Sequence, residues 1–149
     1  EIESAEQNLR GAIDYLLGRD DVTGGTVGIV GFCMGGQLAL YGACVNPRVG
    51  ACVDFYGIHP NVKPDLTELR APILGFFAED DQSVTPDVAR QLERDLTTAG
   101  KQSTIRIFEG ADHGFFNDTR HRVFHAVYAK QCWEQMLQFF AEHLREGPE

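Results

Sequence analysis

No apolar run in this sequence approaches the roughly 20 residues that a bilayer-spanning helix requires. Glu1 opens a charged, polar stretch rather than a signal-peptide pattern, so a cytoplasmic address is expected. Basic residues are scarce, with 13 Lys and Arg against 22 Asp and Glu and a formal charge of −9. A phosphate backbone needs a basic face, so nucleic acid and anionic membrane are poor partners, and a small neutral or locally matched molecule is a better one. The four cysteines, Cys33, Cys44, Cys52 and Cys132, show no C-x-x-C spacing, which argues against zinc ribbons and dithiol redox sites. The histidines lack metal-site spacing as well, and neither a metal nor an organic cofactor is expected. Repeats, low-complexity tracts and linkers are missing, and residues 1–149 read as one domain.

What is present is the alternation of an α/β protein. Ser4 to Leu17 carries Leu9, Ile13, Leu16 and Leu17 at helical spacing, with Gly18 closing the helix. Thr26 to Val30 is a short β-branched run, and Gln37 to Ala43 reads as a buried helix. Val49–Phe55 and Pro72–Phe77 are apolar strand candidates, and Ser103–Phe108 alternates apolar and polar positions as a half-solvated strand does. Pro86 to Thr98 is a helix with proline in its first turn, and Val123 to Leu144 closes the chain as another. Strands separated by helices imply a parallel, three-layer sheet of about four strands with helices on both faces.

Three segments then stand out for chemistry. Gly31-Phe32-Cys33-Met34-Gly35 is G-x-C-x-G between a strand and a helix, the thiol form of the nucleophile turn. Small residues there let strand and helix approach, so the sulfur projects at the strand's carboxyl end. The helix amino terminus behind it favours a thiolate and a developing oxyanion, with the Met34 backbone N–H as the natural donor. Alone the pattern is weak, and a buried structural cysteine is the plain alternative, which is also the reading for Cys44, Cys52 and Cys132. Glu79-Asp80-Asp81 follows a strand, where the acid of a nucleophile–acid–base set belongs. His113, in Gly110-Ala111-Asp112-His113-Gly114, follows the last strand and can act as base. His59, His121, His125 and His143 lack that placement and read as ordinary surface or structural groups.

With these residues in view, the chain resembles the dienelactone hydrolase (carboxymethylenebutenolidase) family of α/β hydrolases. The likeness rests on Val27–Gly36, Asp54-Phe55-Tyr56-Gly57, Ala78–Val84 and Gly110–Asp118. It implies Cys33 as nucleophile, Asp81 as acid and His113 as base. Ala78 stands in place of the usual glycine of the acid motif, which leaves Asp80 as a second candidate. The resemblance also implies Phe32, Tyr56 and Phe115 as substrate-lining aromatics and a small ester or lactone as substrate. Asn117 stands where one archetypal member of the family has an anion-binding arginine after the histidine. Relatives carry further strands at the amino end, so this chain corresponds to the carboxy-terminal portion of their domain, with one sheet edge open to a second copy. A broader esterase or thioesterase, promiscuous phosphoester hydrolysis, an inactive associating piece and a redox-responsive thiol protein remain alternatives.

Overall fold

A computed structural model describes residues 1–144. Four strands, β1 (Val27–Phe32), β2 (Val49–Phe55), β3 (Ile73–Ala78) and β4 (Ser103–Phe108), form one sheet in sequential order. Every neighbouring pair is parallel. The helices are α1 (Ile2–Leu17), α2 (Met34–Val45), α3 (Pro86–Thr98) and α4 (Ala126–His143). The parallel α/β architecture expected from the pattern is therefore present. One crossover differs. β2 and β3 are joined without an α-helix, by a loop holding a single 3-10 turn at Leu66–Glu68, capped by Asp65. Buried Val62, Leu69 and Ala71 pin that loop to the core, and Gln37 Nε2 donates to the Val62 carbonyl at 2.9 Å.

Side-chain alternation along the strands divides the core between two layers. Ile73 and Phe77 point to one face of β3, where they meet Leu40 and Ala43 of α2 and Ala89, Leu92 and Leu96 of α3. Leu74, Phe76 and Ala78 point to the other, against Cys132 and Met136 of α4. The buried positions of α3 and α4 recur at i, i+3 and i+7, one face of each helix. α2 is different, being buried over most of its surface, and it packs on β1 and β2. α1 buries only Ile13 and is tied to the body in part through an ion pair between Asp14 and Arg48.

Of the boundaries that differ from expectation, three matter to the site. β1 runs on to Phe32 and α2 starts at Met34, leaving Cys33 alone as the turn. α4 begins at Ala126 rather than Val123, because 117–124 is taken up by turns, with Asn117 Oδ1 accepting from Thr119 N and Oγ1 at 3.0 and 2.7 Å. Since all strands run the same way, Cys33, Tyr56, the 79–81 loop and the 109–113 loop all leave the sheet at its carboxyl edge. That edge is where parallel sheets gather their reactive groups.

Candidate active site

Cys33 has φ 55° and ψ −130°, a left-handed conformation rare for a residue with a Cβ. Backbone contacts hold it there. Its N–H donates to the Phe55 carbonyl at 2.9 Å, and its own carbonyl accepts from Gly36 N at 2.9 Å. The two glycines of the motif are not equivalent. A Cβ on Gly31 would lie 1.9 Å from the Gly35 carbonyl oxygen, whereas a Cβ on Gly35 would meet nothing within 4 Å. The close approach thus demands glycine at 31 and, on the other side, at Gly36, where a Cβ would lie 1.9 Å from Asp54 Oδ1. The thiol is exposed, and Met34 N–H opens α2 beside it, one of the helix's first donors without an intrahelical acceptor.

The 79–81 and 109–113 loops are laced together. Glu79 N donates to Phe108 O at 3.0 Å and Asp80 N to Ala111 O at 2.8 Å, while Gly110 N donates to Glu79 Oε2 at 2.9 Å. Asp81 is 1% exposed, and its Oδ1 accepts from Ser83 N and Val84 N at 2.7 and 2.8 Å. Its Oδ2 lies 2.6 Å from His113 Nδ1. His113 Nε2 lies 3.1 Å from Cys33 Sγ. A carboxylate can only accept, so Nδ1 carries the proton in the neutral ring and Nε2 presents its lone pair to the thiol. Of the two candidate acids, Asp81 meets the histidine, and Asp80 points to solvent.

Aromatic rings surround this cluster unequally. Phe32 is 42% exposed and stacks on Phe55 and Phe116 with centroids 4.8 and 5.5 Å apart. Tyr56, also at positive φ, 44°, is buried, with its ring 4.9 Å from that of His113. Burial, and next the charge of the Cys33 sulfur, push its phenol up to about 12. Phe115 has no exposed surface. It packs behind Tyr56, among Phe108 and Tyr128, and so supports the ring beside the histidine instead of facing an incoming molecule. A hollow of about 680 Å³ opens beside Met34 and is lined by Ile2, Leu38, His59 and Val62. Neither Cys33 nor His113 borders it, and the sulfur faces the open surface.

The remaining candidates are structural. His125 Nδ1 caps α4 by accepting from Tyr128 N at 3.2 Å, His59 Nδ1 accepts from Asn61 N, and His143 abuts Phe139. His121 is exposed. No grouping suited to a metal ion occurs among the described residues. Cys44, Cys52 and Cys132 are buried, and burial pushes the Cys44 and Cys132 thiols up to about 11 and 12. Asp54 enters the sequence reading only as part of the Asp54-Phe55-Tyr56-Gly57 segment, with no role of its own. Its signal was there to see, an acid inside the otherwise apolar run Val49–Phe55.

A family model for the dienelactone hydrolase family matches residues 2–144. A protein of Aquifex aeolicus provisionally named carboxymethylenebutenolidase is 32% identical over 120 residues, covering 80% of this chain and 52% of the relative. One of the same name from Synechocystis is 31% identical, covering 93% and 59%. A crystal structure from Klebsiella pneumoniae, provisionally named dienelactone hydrolase, superposes with a TM-score of 0.82 at 28% identity, over 91% of this chain and 60% of that one. The chain spans between half and three-fifths of the length of these relatives. It is a parallel α/β hydrolase sheet with Cys33, His113 and Asp81 in contact at its carboxyl edge, and it belongs to the dienelactone hydrolase family.

Proposed function

We propose that the chain hydrolyses small esters or lactones by covalent catalysis through Cys33, His113 and Asp81. His113 Nε2 takes the thiol proton as Sγ attacks the carbonyl carbon, and Asp81 holds the ring's tautomer and balances the imidazolium. The Met34 N–H donates to the oxyanion. Collapse expels the alcohol, which receives its proton from His113, and leaves an acyl-thioester. Water, deprotonated by His113, attacks the thioester, and the acid departs as the thiol is regenerated. Each step uses protein groups and water. The exposed Phe32 ring, on the residue before Cys33 and stacked on Phe116, suits a flat, unsaturated substrate such as a dienelactone. What supports the reading is the pair of distances, 3.1 Å from Nε2 to Sγ and 2.6 Å from Nδ1 to Oδ2.

The test is turnover of p-nitrophenyl acetate by the purified chain and by Cys33→Ala. The wild type should turn over repeatedly and the variant should fall to the buffer rate. Equal rates would remove Cys33 from the chemistry.

A second reading has its own observation. Among the described residues β1 pairs with β2 on one side only, and Val30 and Phe32 on it are 40% and 42% exposed. An unpaired apolar edge is a template for another strand, so we propose self-association through β1. The free thiols agree with a reducing compartment, and we propose the cytoplasm. Among the described residues no helix is long and apolar enough to cross a membrane.

A further inference from the structure

Acids are depleted from strand interiors, and a strand covered on both faces has no solvent to offer a carboxyl group. Asp54 nonetheless sits in β2 with 0% exposure. In register it lies between two glycines, Gly31 of β1 and Gly75 of β3. Above it are two more. A Cβ on Gly36 would stand 1.9 Å from Asp54 Oδ1, and one on Gly57 would stand 2.5 Å from Oδ1 and 2.3 Å from the Cys33 carbonyl oxygen. The carboxyl group is therefore packed against backbone, directly beneath the turn that carries the nucleophile.

Its one hydrogen bond points to a purpose. Oδ1 accepts from Gly57 N at 2.8 Å, three residues on, the side-chain equivalent of a turn bond. The corner so closed contains Tyr56 at φ 44°, a conformation disfavoured for a residue with a Cβ. Tyr56 N is also held, donating to Phe76 O at 2.7 Å. From this corner the Tyr56 ring reaches the His113 imidazole, 4.9 Å between centroids at 55°.

We propose that Asp54 is a positioning residue of the reactive cluster: by closing the Tyr56–Gly57 corner it fixes the Tyr56 ring against His113 and so aims Nε2 at Cys33 Sγ. The inference rests on the proposed reading of Cys33 and His113 as a reacting pair. The surroundings of Asp54 favour its neutral form. Burial drives its carboxyl well above the usual carboxylate range, opposed by the Gly57 N–H, and Oδ2 has no hydrogen-bond partner among the described residues. Cys52, on the same face of β2, is likewise buried with its thiol pushed up, so that face carries two uncharged groups.

The test reads the thiol without needing a substrate. Cys33 is the exposed cysteine of the four, so the rate of iodoacetamide alkylation of the full chain, followed by mass from pH 5 to 9, reports its pairing with His113. Asp54→Asn keeps an oxygen for the Gly57 N–H and should follow the wild-type profile within about twofold. Asp54→Ala should depart from it at least fivefold below pH 7 and move towards the profile of His113→Ala. A folded Asp54→Ala with the wild-type profile overturns the proposal, as does an Asp54→Asn as impaired as the alanine variant. If Asp54→Ala does not fold, Tyr56→Leu decides, because it removes the ring that links the corner to the histidine. An unchanged profile there also overturns the proposal. Failure of ester turnover with these alkylation differences intact would count against the proposed hydrolysis and leave the positioning role standing.

Discussion

The same three types of side chain, acid, thiol and imidazole, occur several times in this chain, and burial and partners set them apart. Asp81 and Asp54 are both buried acids, yet Asp81 receives two N–H donors on Oδ1 and faces His113 with Oδ2. Asp54 receives one donor. For Asp54 the physical consequence is a pH dependence of stability. The unfolded chain releases its proton near the ordinary value of about 3.9, while the folded chain, with the carboxyl pushed well above that range, retains it. The native state then binds more protons than the unfolded state, so this residue's contribution falls as pH rises from about 4 towards the folded pKa. Asp54→Asn lacks the titration. Urea unfolding at pH 4.5, 6 and 7.5 should show the variant gaining on the wild type as pH increases, by up to about tenfold in the folding equilibrium per pH unit. Parallel stability curves would mean that Asp54 titrates alike in both states.

At the scale of elements, the strand–turn–helix unit of β1, Cys33 and α2 and the laced loops after β3 and β4 carry the geometry. The G-x-C-x-G pattern was readable, and so was the placement of an acid and a histidine after strands. Which glycine matters was not readable, because it depends on what the folded backbone brings near each α-carbon. Gly31→Ala would place a Cβ against the Gly35 carbonyl and the Gly36 nitrogen, at 1.9 and 2.7 Å, and main chain at the start of a packed helix cannot rotate away. The expected cost is on the order of 3 kcal/mol or more, read as a fall of roughly 10 °C in Tm for a chain of this size. Gly35→Ala points into open space and adds a helix former in the first turn, so its Tm should hold or rise slightly. Calorimetry of the two variants side by side is the check, and equal losses would contradict the packing described. The loop between β2 and β3 was harder to foresee for a related reason. Leu66–Glu68 is too short for a helical period, and the buried anchors Val62 and Leu69 hold it only through tertiary contact.

For the whole molecule, the distribution of apolar surface is uneven. β3 is covered on both faces, whereas β1 leaves Val30 and Phe32 half in solvent at an unpaired edge. Self-association through that edge predicts a concentration-dependent mass in light scattering behind size-exclusion chromatography. Val30→Lys should shift it towards monomer, since a charged edge residue opposes strand addition, and a wild type that stays monomeric at high concentration would refute the association. Sequence by itself determined the class of architecture, because hydrophobic periodicity and turn residues are local properties that any stretch of β1 or α3 carries whatever its neighbours. It also determined the chemical types at the edge of the sheet, a thiol, an imidazole and two adjacent acids, in chain order. Only the tertiary structure brought Asp81 rather than Asp80 to His113, turned Phe115 inward, and put Asp54 under the Cys33 turn. Those outcomes depend on contacts between segments 20 to 80 residues apart, and a local pattern holds no information about which distant group will come to lie within hydrogen-bonding distance.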